Sequence, residues 1–150
     1  MREENGSLRL RDITRNDWLA CAAIECTDEQ KKVFPVPVIG WMARAKYEDD
    51  VKEKAIYAGD IPVGFCVYGI DPETSDPWII AIVIDKHHQS KGYGKESVAL
   101  LIGSLRAIAP GKAIYISHRP ENARAARLYA KLGFLDTGKT IDGERVLVYR

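Results

Sequence analysis

A chain of 150 residues is long enough for one domain that buries roughly 68–70% of its unfolded surface. With 46% hydrophobic and 29% charged residues it is not a disordered chain, and a formal net charge of +1 excludes nucleic-acid binding by bulk electrostatics. Met1 to Asn5 carries no apolar stretch of the secretory kind, and the longest apolar run, Trp78 to Ile84, is far short of the about 20 residues a membrane span needs. A cytoplasmic protein without a membrane partner is expected.

Leu8 to Ile13 alternates apolar and polar residues and predicts a strand. Asn16 or Asp17 caps a helix that runs to about Cys26, and Thr27 to Val38, with Pro35 and Pro37, reads as a loop. A second helix covers about Ile39 to Asp49. Ala55–Ala58 and Val63–Tyr68 are strands joined by a turn at Gly59-Asp60, and Gly69 to Pro77 is a loop. Trp78 to Ile84 has the continuous apolar character of a central strand covered on both faces. Gln89 to Gly94 is a glycine-bearing loop, and Val98, Leu101, Ile102 and Leu105 then mark an amphipathic helix that Pro110-Gly111 ends. Ala113 to Ser117 is a strand. Asn122 opens a helix with Ala125, Leu128, Tyr129 and Leu132 on its apolar face, and Gly133 closes it. Phe134–Ile141 and Arg145–Tyr149 form a last hairpin around Asp142-Gly143. The order β-α-α-β-β-β-α-β-α-β-β predicts an α/β (mixed α+β) domain with a mixed sheet and helices on both faces.

Cys21, Cys26 and Cys66, odd in number and without CxxC spacing, fit reduced thiols that serve as small buried hydrophobes. His87, His88 and His118 lack zinc-type spacing, so no metal is expected.

Chemistry concentrates between Ile82 and Lys95, where a buried strand leads into a helix. Gly92 and Gly94 allow unusual φ values and close approach of the backbone to a ligand. Unpaired N–H groups at the helix start, with a dipole worth roughly half a charge, make an anion nest suited to a pyrophosphate, and Lys91 and Lys95 add charge. A plain glycine-rich turn is the simpler alternative. A Walker A loop fails because Glu96 follows Gly94-Lys95, and a dinucleotide fingerprint fails because Ser97 stands where a third glycine belongs.

Gln89-Ser90-Lys91-Gly92-Tyr93-Gly94 resembles the Q/R-x-x-G-x-G/A signature of the GNAT superfamily of N-acetyltransferases. Asn122 to Phe134 resembles its N-x-x-A-x-x-x-Y-x-x-x-G-F element, in the right order and about 30 residues later. Within that superfamily the likeness is greatest to bacterial spermine/spermidine acetyltransferases, through Val63-Gly64-Phe65, Tyr68-Gly69, Ile84-Asp85, Tyr115-Ile116-Ser117, Pro120-Glu121-Asn122 and Asp142-Gly143-Glu144. The resemblance implies a mostly antiparallel sheet of about seven strands and acetyl-CoA as co-substrate, with a homodimer as a further expectation. It implies that Ile82, Val83 and Ile84 offer backbone groups to the pantetheine arm. It implies that Gln89 and the amides of Ser90, Lys91, Gly92, Tyr93, Gly94 and Lys95 take the pyrophosphate, and that Asn122, Ala125 and Tyr129 lie against coenzyme A.

Direct attack of an amine on the thioester in a ternary complex requires a base, an oxyanion partner and an acid. A backbone N–H of Ile82–Ile84 can face the thioester oxygen. Tyr129 is the candidate acid, since a phenol of pKa about 10 lies near a thiol of about 8.5. Tyr129 can instead be a partly buried helix tyrosine, and Asn122 a simple N-cap. The resembled polyamine enzymes often carry a carboxylate on the central strand just before the pantetheine stretch, but here Trp78, Ile79, Ile80 and Ala81 stand there. Candidates for the base are Glu25, Asp28 and Glu29 or Glu73 and Asp76, with a water chain as alternative. An ammonium substrate prefers an acidic pocket, so Glu25, Asp28, Glu29, Glu48, Asp49 and Asp50, lined by Trp41 and Tyr47, are the acceptor candidates. The expected acceptor is a small-molecule primary amine. The competing functions are acetylation of a protein N-terminus or lysine, and non-catalytic sensing of acyl-CoA.

Overall fold

The computed structural model describes residues 8–150. Strands β1 (Leu8–Arg11), β2 (Val51–Ala58), β3 (Ile61–Ile70), β4 (Pro77–Ile84), β5 (Ile114–His118), β6 (Leu135–Ile141) and β7 (Glu144–Tyr149) form one sheet in the order β1-β2-β3-β4-β5-β7-β6. Every pairing is antiparallel except β4 with β5. Helices α1 (Trp18–Ala22), α2 (Asp28–Lys31) and α3 (Val38–Tyr47) precede β2, α4 (Tyr93–Ile108) connects β4 to β5, and α5 (Ala123–Leu132) connects β5 to β6. The expected seven-stranded mixed sheet is present. Among the described residues no helix is long and apolar enough to cross a membrane.

Two apolar clusters cover the two faces. Val98, Leu101, Ile102 and Leu105 of α4 pack on Ile56, Ile79, Ile114, Ile116 and Leu147, with Tyr129 and Leu132 of α5 at the margin. Cys21 of α1 and Val38, Trp41 and Met42 of α3 pack on Ala55, Tyr57, Phe65, Val67, Ala81 and Val83. Burial pushes the Cys66 thiol up to about 12 and the Cys21 thiol up to about 11, so neither is a nucleophile.

The early elements differ from expectation for identifiable reasons. Helix α1 ends at Ala22 rather than Cys26 because Ile24 turns into the core and Glu25 bonds to the segment after β4, through its N–H to Asp85 Oδ1 (3.1 Å) and its carbonyl from the Lys86 N–H (2.8 Å). The expected loop from Thr27 to Val38 contains α2, because Thr27 and Gln30 form a reciprocal capping box. Strand β2 begins at Val51, four residues before the expected Ala55, its outer end carrying the charged run Lys52-Glu53-Lys54. Strand β4 is not covered on both faces: Trp78, Ile80, Ile82 and Ile84 are only partly buried, alternating with buried Pro77, Ile79, Ala81 and Val83.

That alternation reflects how β4 is paired. It runs beside β5 at only two positions, Trp78↔Tyr115 and Ile79↔Ile116. Just past them Ile80 is an extra residue, since Val67 faces Ala81 and Tyr68 faces Ile79. Such a bulge bends its strand and raises local twist. Beyond it the pairing with β5 stops, and among the described residues the edge of β4 from Ile80 to Ile84 has no strand partner on the β5 side.

Candidate active site

The C-terminal end of β4 is held from three directions. Gln89 Nε2 donates to the Ile84 carbonyl (2.9 Å) and to Gln30 Oε1 of α2 (2.8 Å), while Gln89 Oε1 accepts from Gln30 Nε2 (3.1 Å) and from Arg124 Nη1 of α5 (3.1 Å). The side chain expected to meet coenzyme A is therefore occupied in positioning the loop, and it takes the carbonyl of Ile84. Glu25 adds an anchor: its carboxylate pairs with Lys31 (2.7 Å) and Lys86 (3.0 Å), and these lysines hold its pKa down to about 2.

Between that anchor and α4 the backbone turns twice through the left-handed region, at Ser90 (φ 65°) and at Gly92 (φ 81°), the N-cap of α4. The N-cap has no side chain to satisfy the helix start, and the first intrahelical bond is from the Glu96 N–H to the Gly92 carbonyl. Among the described residues nothing accepts from the amides of Ser90 to Lys95. Six consecutive main-chain donors at the positive end of a 16-residue helix are thus available to an anion. A Cβ on Gly92 would meet no heavy atom, so the space over the turn is open. Exposed Lys91 and Lys95 flank it, and Arg124, placed by Gln89, adds a third cation that the sequence did not single out.

Asn122 is the N-cap of α5, its Oδ1 accepting from the Ala125 N–H (3.1 Å), and among the described residues its amide nitrogen has no partner. Two turns later Tyr129 packs against Phe134 (5.9 Å between centroids) and His118 (6.3 Å). Burial, and then the charge of the Glu144 carboxylate, push its phenol up to about 12. Tyr129 thus stays protonated throughout the working pH range.

The acidic residues expected to receive a substrate do not gather into one pocket. Asp28 and Glu29 lie in the first turn of α2 with side chains fully or largely in solvent, Glu29 paired with Lys32 and Asp28 with Lys31. Trp41 stacks on Phe34 (6.1 Å) under the Arg44 guanidinium, as part of the core below α3. Glu48 pairs with Arg44, and Asp76 with Lys112 (3.3 Å). Asp76 also precedes the first residue of β4, about 13 Å of extended chain from the Ile80 bulge.

The structure thus brings together a partly open β4 edge, a helix start whose first amides are unpaired among the described residues, and a tyrosine on α5 that stays protonated. The profile of the acetyltransferase (GNAT) family matches residues 10–134, and the chain belongs to that family. Over 99 residues it is 39% identical to a probable spermine N(1)-acetyltransferase of Bacillus subtilis subsp. natto, a match that spans 61% of this chain and 64% of that protein. A domain from Methanocaldococcus jannaschii has the same fold, with a TM-score of 0.75 at 22% identity over 95% of this chain and 97% of the other. Spermidine N-acetyltransferase from Vibrio cholerae, solved with CoA and spermine, superposes with a TM-score of 0.74 at 17% identity over 95% and 93% of the two chains.

Proposed function

We propose that the protein transfers the acetyl group of acetyl-CoA to a primary amine of a small molecule, a polyamine being the leading class of acceptor. The observation that carries this reading is the run of amides from Ser90 to Lys95, unpaired among the described residues, in the loop that follows the open edge of β4. The donor set fits a diphosphate, and the strand edge fits the peptide-like pantetheine arm. Ile82, Val83 and Ile84 would bind that arm, with the Ile84 carbonyl excepted because Gln89 takes it. Asn122, Ala125 and Tyr129, spaced along one face of α5, would lie against the same carrier. The names of the relatives support the polyamine acceptor.

Acetyl-CoA supplies an activated acyl group; the protein orients it and moves protons. In this reading Tyr129 protonates the departing sulfur, in a direct transfer within a ternary complex. Thiol release from acetyl-CoA, measured with spermine, spermidine, aminoglycosides, amino acids and peptides, tests this reading. The expected result is release with spermine or spermidine above the rate with peptides. Tight coenzyme A binding with no release for any amine would instead support an acyl-CoA sensor, and preference for peptides a protein acetyltransferase.

A further inference from the structure

Central strand β4 has no carboxylate where the resembled enzymes often carry one, and several of the carboxylates that the sequence offers are engaged elsewhere. Glu25, Asp28, Glu29, Glu48, Asp76 and Asp136 face lysine or arginine. Glu144, the first residue of β7, differs. Its Oε1 accepts from Ser117 Oγ (2.7 Å), and among the described residues no lysine or arginine pairs with it.

Strand parity puts this pair at the opening in the sheet. Ile114, Ile116 and Leu147 point to the α4 side, so Tyr115, Ser117, Glu144, Val146 and Val148 point to the other. Ser117 is the first residue of β5 past its last pairing with β4, and hence sits on the lip where the strands part. Glu144 lies diagonally beside it, since Ser117 faces Val146 two residues along β7. On the α4 side Tyr129 packs against His118, the residue after Ser117 (6.3 Å between centroids), and the Glu144 charge reaches its hydroxyl. Next to Ser117 on the Glu144 side, Tyr115 stacks on Trp78 (5.4 Å) and forms an aromatic wall. Carboxylate and aromatic wall together suit an ammonium on an aliphatic stem.

We propose that Glu144, oriented by Ser117, is the catalytic carboxylate that receives the acceptor ammonium and takes its proton, in place of the acid missing from β4. This rests on the acetyltransferase reading given above. The ammonium passes one proton to Glu144, and the freed lone pair forms the N–C bond to the acetyl carbon. The C–S bond breaks, sulfur takes the Tyr129 hydroxyl proton, and the second nitrogen proton restores the phenol. The products are the amide, the free thiol and a proton that Glu144 returns to water. The acceptor enters on the α1/α3 face of the sheet, opposite α4 and α5.

Glu144→Gln keeps the size of the side chain and an acceptor for Ser117. It is expected to lower kcat/KM for spermine by roughly 10²–10⁴-fold near pH 7 and to leave coenzyme A affinity unchanged. The defect should shrink as pH rises toward the pKa of the free amine, about 10, because the substrate then arrives deprotonated; a merely structural loss would be equal at every pH. Glu144→Asp, should the glutamine variant not fold, is expected to lose activity in the same direction but less. Wild-type rates in either folded variant overturn the assignment. If the wild type releases no thiol with any amine, the acetyltransferase reading fails by itself. Calorimetric binding of spermine to the coenzyme A complex then decides the subsite: tenfold weakening in Glu144→Gln supports it, and equal affinity overturns it.

Discussion

Replacing Gly92 by alanine separates a phosphate nest from an ordinary turn. Gly92 sits at φ 81°, and an added Cβ meets no heavy atom within 4 Å, so no clash opposes the change. The cost is that of holding an L-residue in the left-handed region, about 1–2 kcal/mol. If residues 90–92 keep their conformation, that strain stays in the folded state and lowers Tm by about 2–8 °C at this chain length. If the loop relaxes to negative φ, the amides of Ser90 to Lys95 lose their common direction. The same strain then appears in binding, as an about 5- to 30-fold rise in the coenzyme A Kd. Alanine also stiffens the unfolded chain, so the reference is Gly103→Ala. Gly103 is exposed in the interior of α4, with open space where an added methyl would sit and no positive φ. Titration calorimetry with coenzyme A and thermal unfolding on the same samples read both branches. A Gly92→Ala protein as stable as Gly103→Ala, with the Kd of the wild type, would refute the nest.

Gly103→Ala itself is expected to stabilise the protein by about 1 kcal/mol, as glycine gives way to alanine inside a helix, which thermal unfolding reads as a rise of about 2–4 °C. Tyr129→Phe is expected to lower turnover in the thiol-release assay by roughly 10²–10⁴-fold with coenzyme A affinity retained. With the phenol pushed up to about 12, the wild-type rate should show no descending limb from Tyr129 below about pH 11. Glu25→Gln should lower Tm at pH 7. The Glu25 carboxyl is held down to about 2, so its stabilisation is fully present above the ordinary 4.5, fades as pH falls and is gone below about 2. The Tm difference between variant and wild type should close over that interval.

The parts of the site that are contiguous in the chain were legible in it. Gln89 to Lys95 and Asn122 to Phe134 are local segments whose glycines and caps set their own geometry, and both stand where they were expected. The capping box that starts α2 was also written locally, in Thr27 and Gln30, but two nearby prolines masked it. The opening between β4 and β5 has no local signature, because it depends on a register that lasts two residue pairs and on a bulge at Ile80 that only the pairing with β3 defines. The placement of Glu144 depends on register again: one residue of slip between β5 and β7 would move its carboxylate to the other face. The acidic residues favoured for substrate were conspicuous as charges, yet a charge says nothing of its partners, and Glu25, Asp28 and Glu29 are taken by lysines of their own neighbourhood.

The raised phenol constrains the order of proton movements. A free phenol of pKa about 10 and a thiol of about 8.5 differ by little, but burial and then the Glu144 charge push the Tyr129 phenol up to about 12, so complete transfer to a free thiolate is uphill. A tyrosinate left behind would also stand within reach of the Glu144 charge that helps raise the phenol. Two neighbouring anions are avoided only if Glu144 is already protonated when sulfur departs and if the second nitrogen proton refills the phenol as it empties. Amine deprotonation must therefore precede C–S cleavage, and a variant that cannot accept the first proton should slow the second step as well as the first. In the proposed mechanism, burial of Tyr129 and a carboxylate across the opening would act together: one keeps the acid loaded, and the other makes its discharge depend on the amine having arrived.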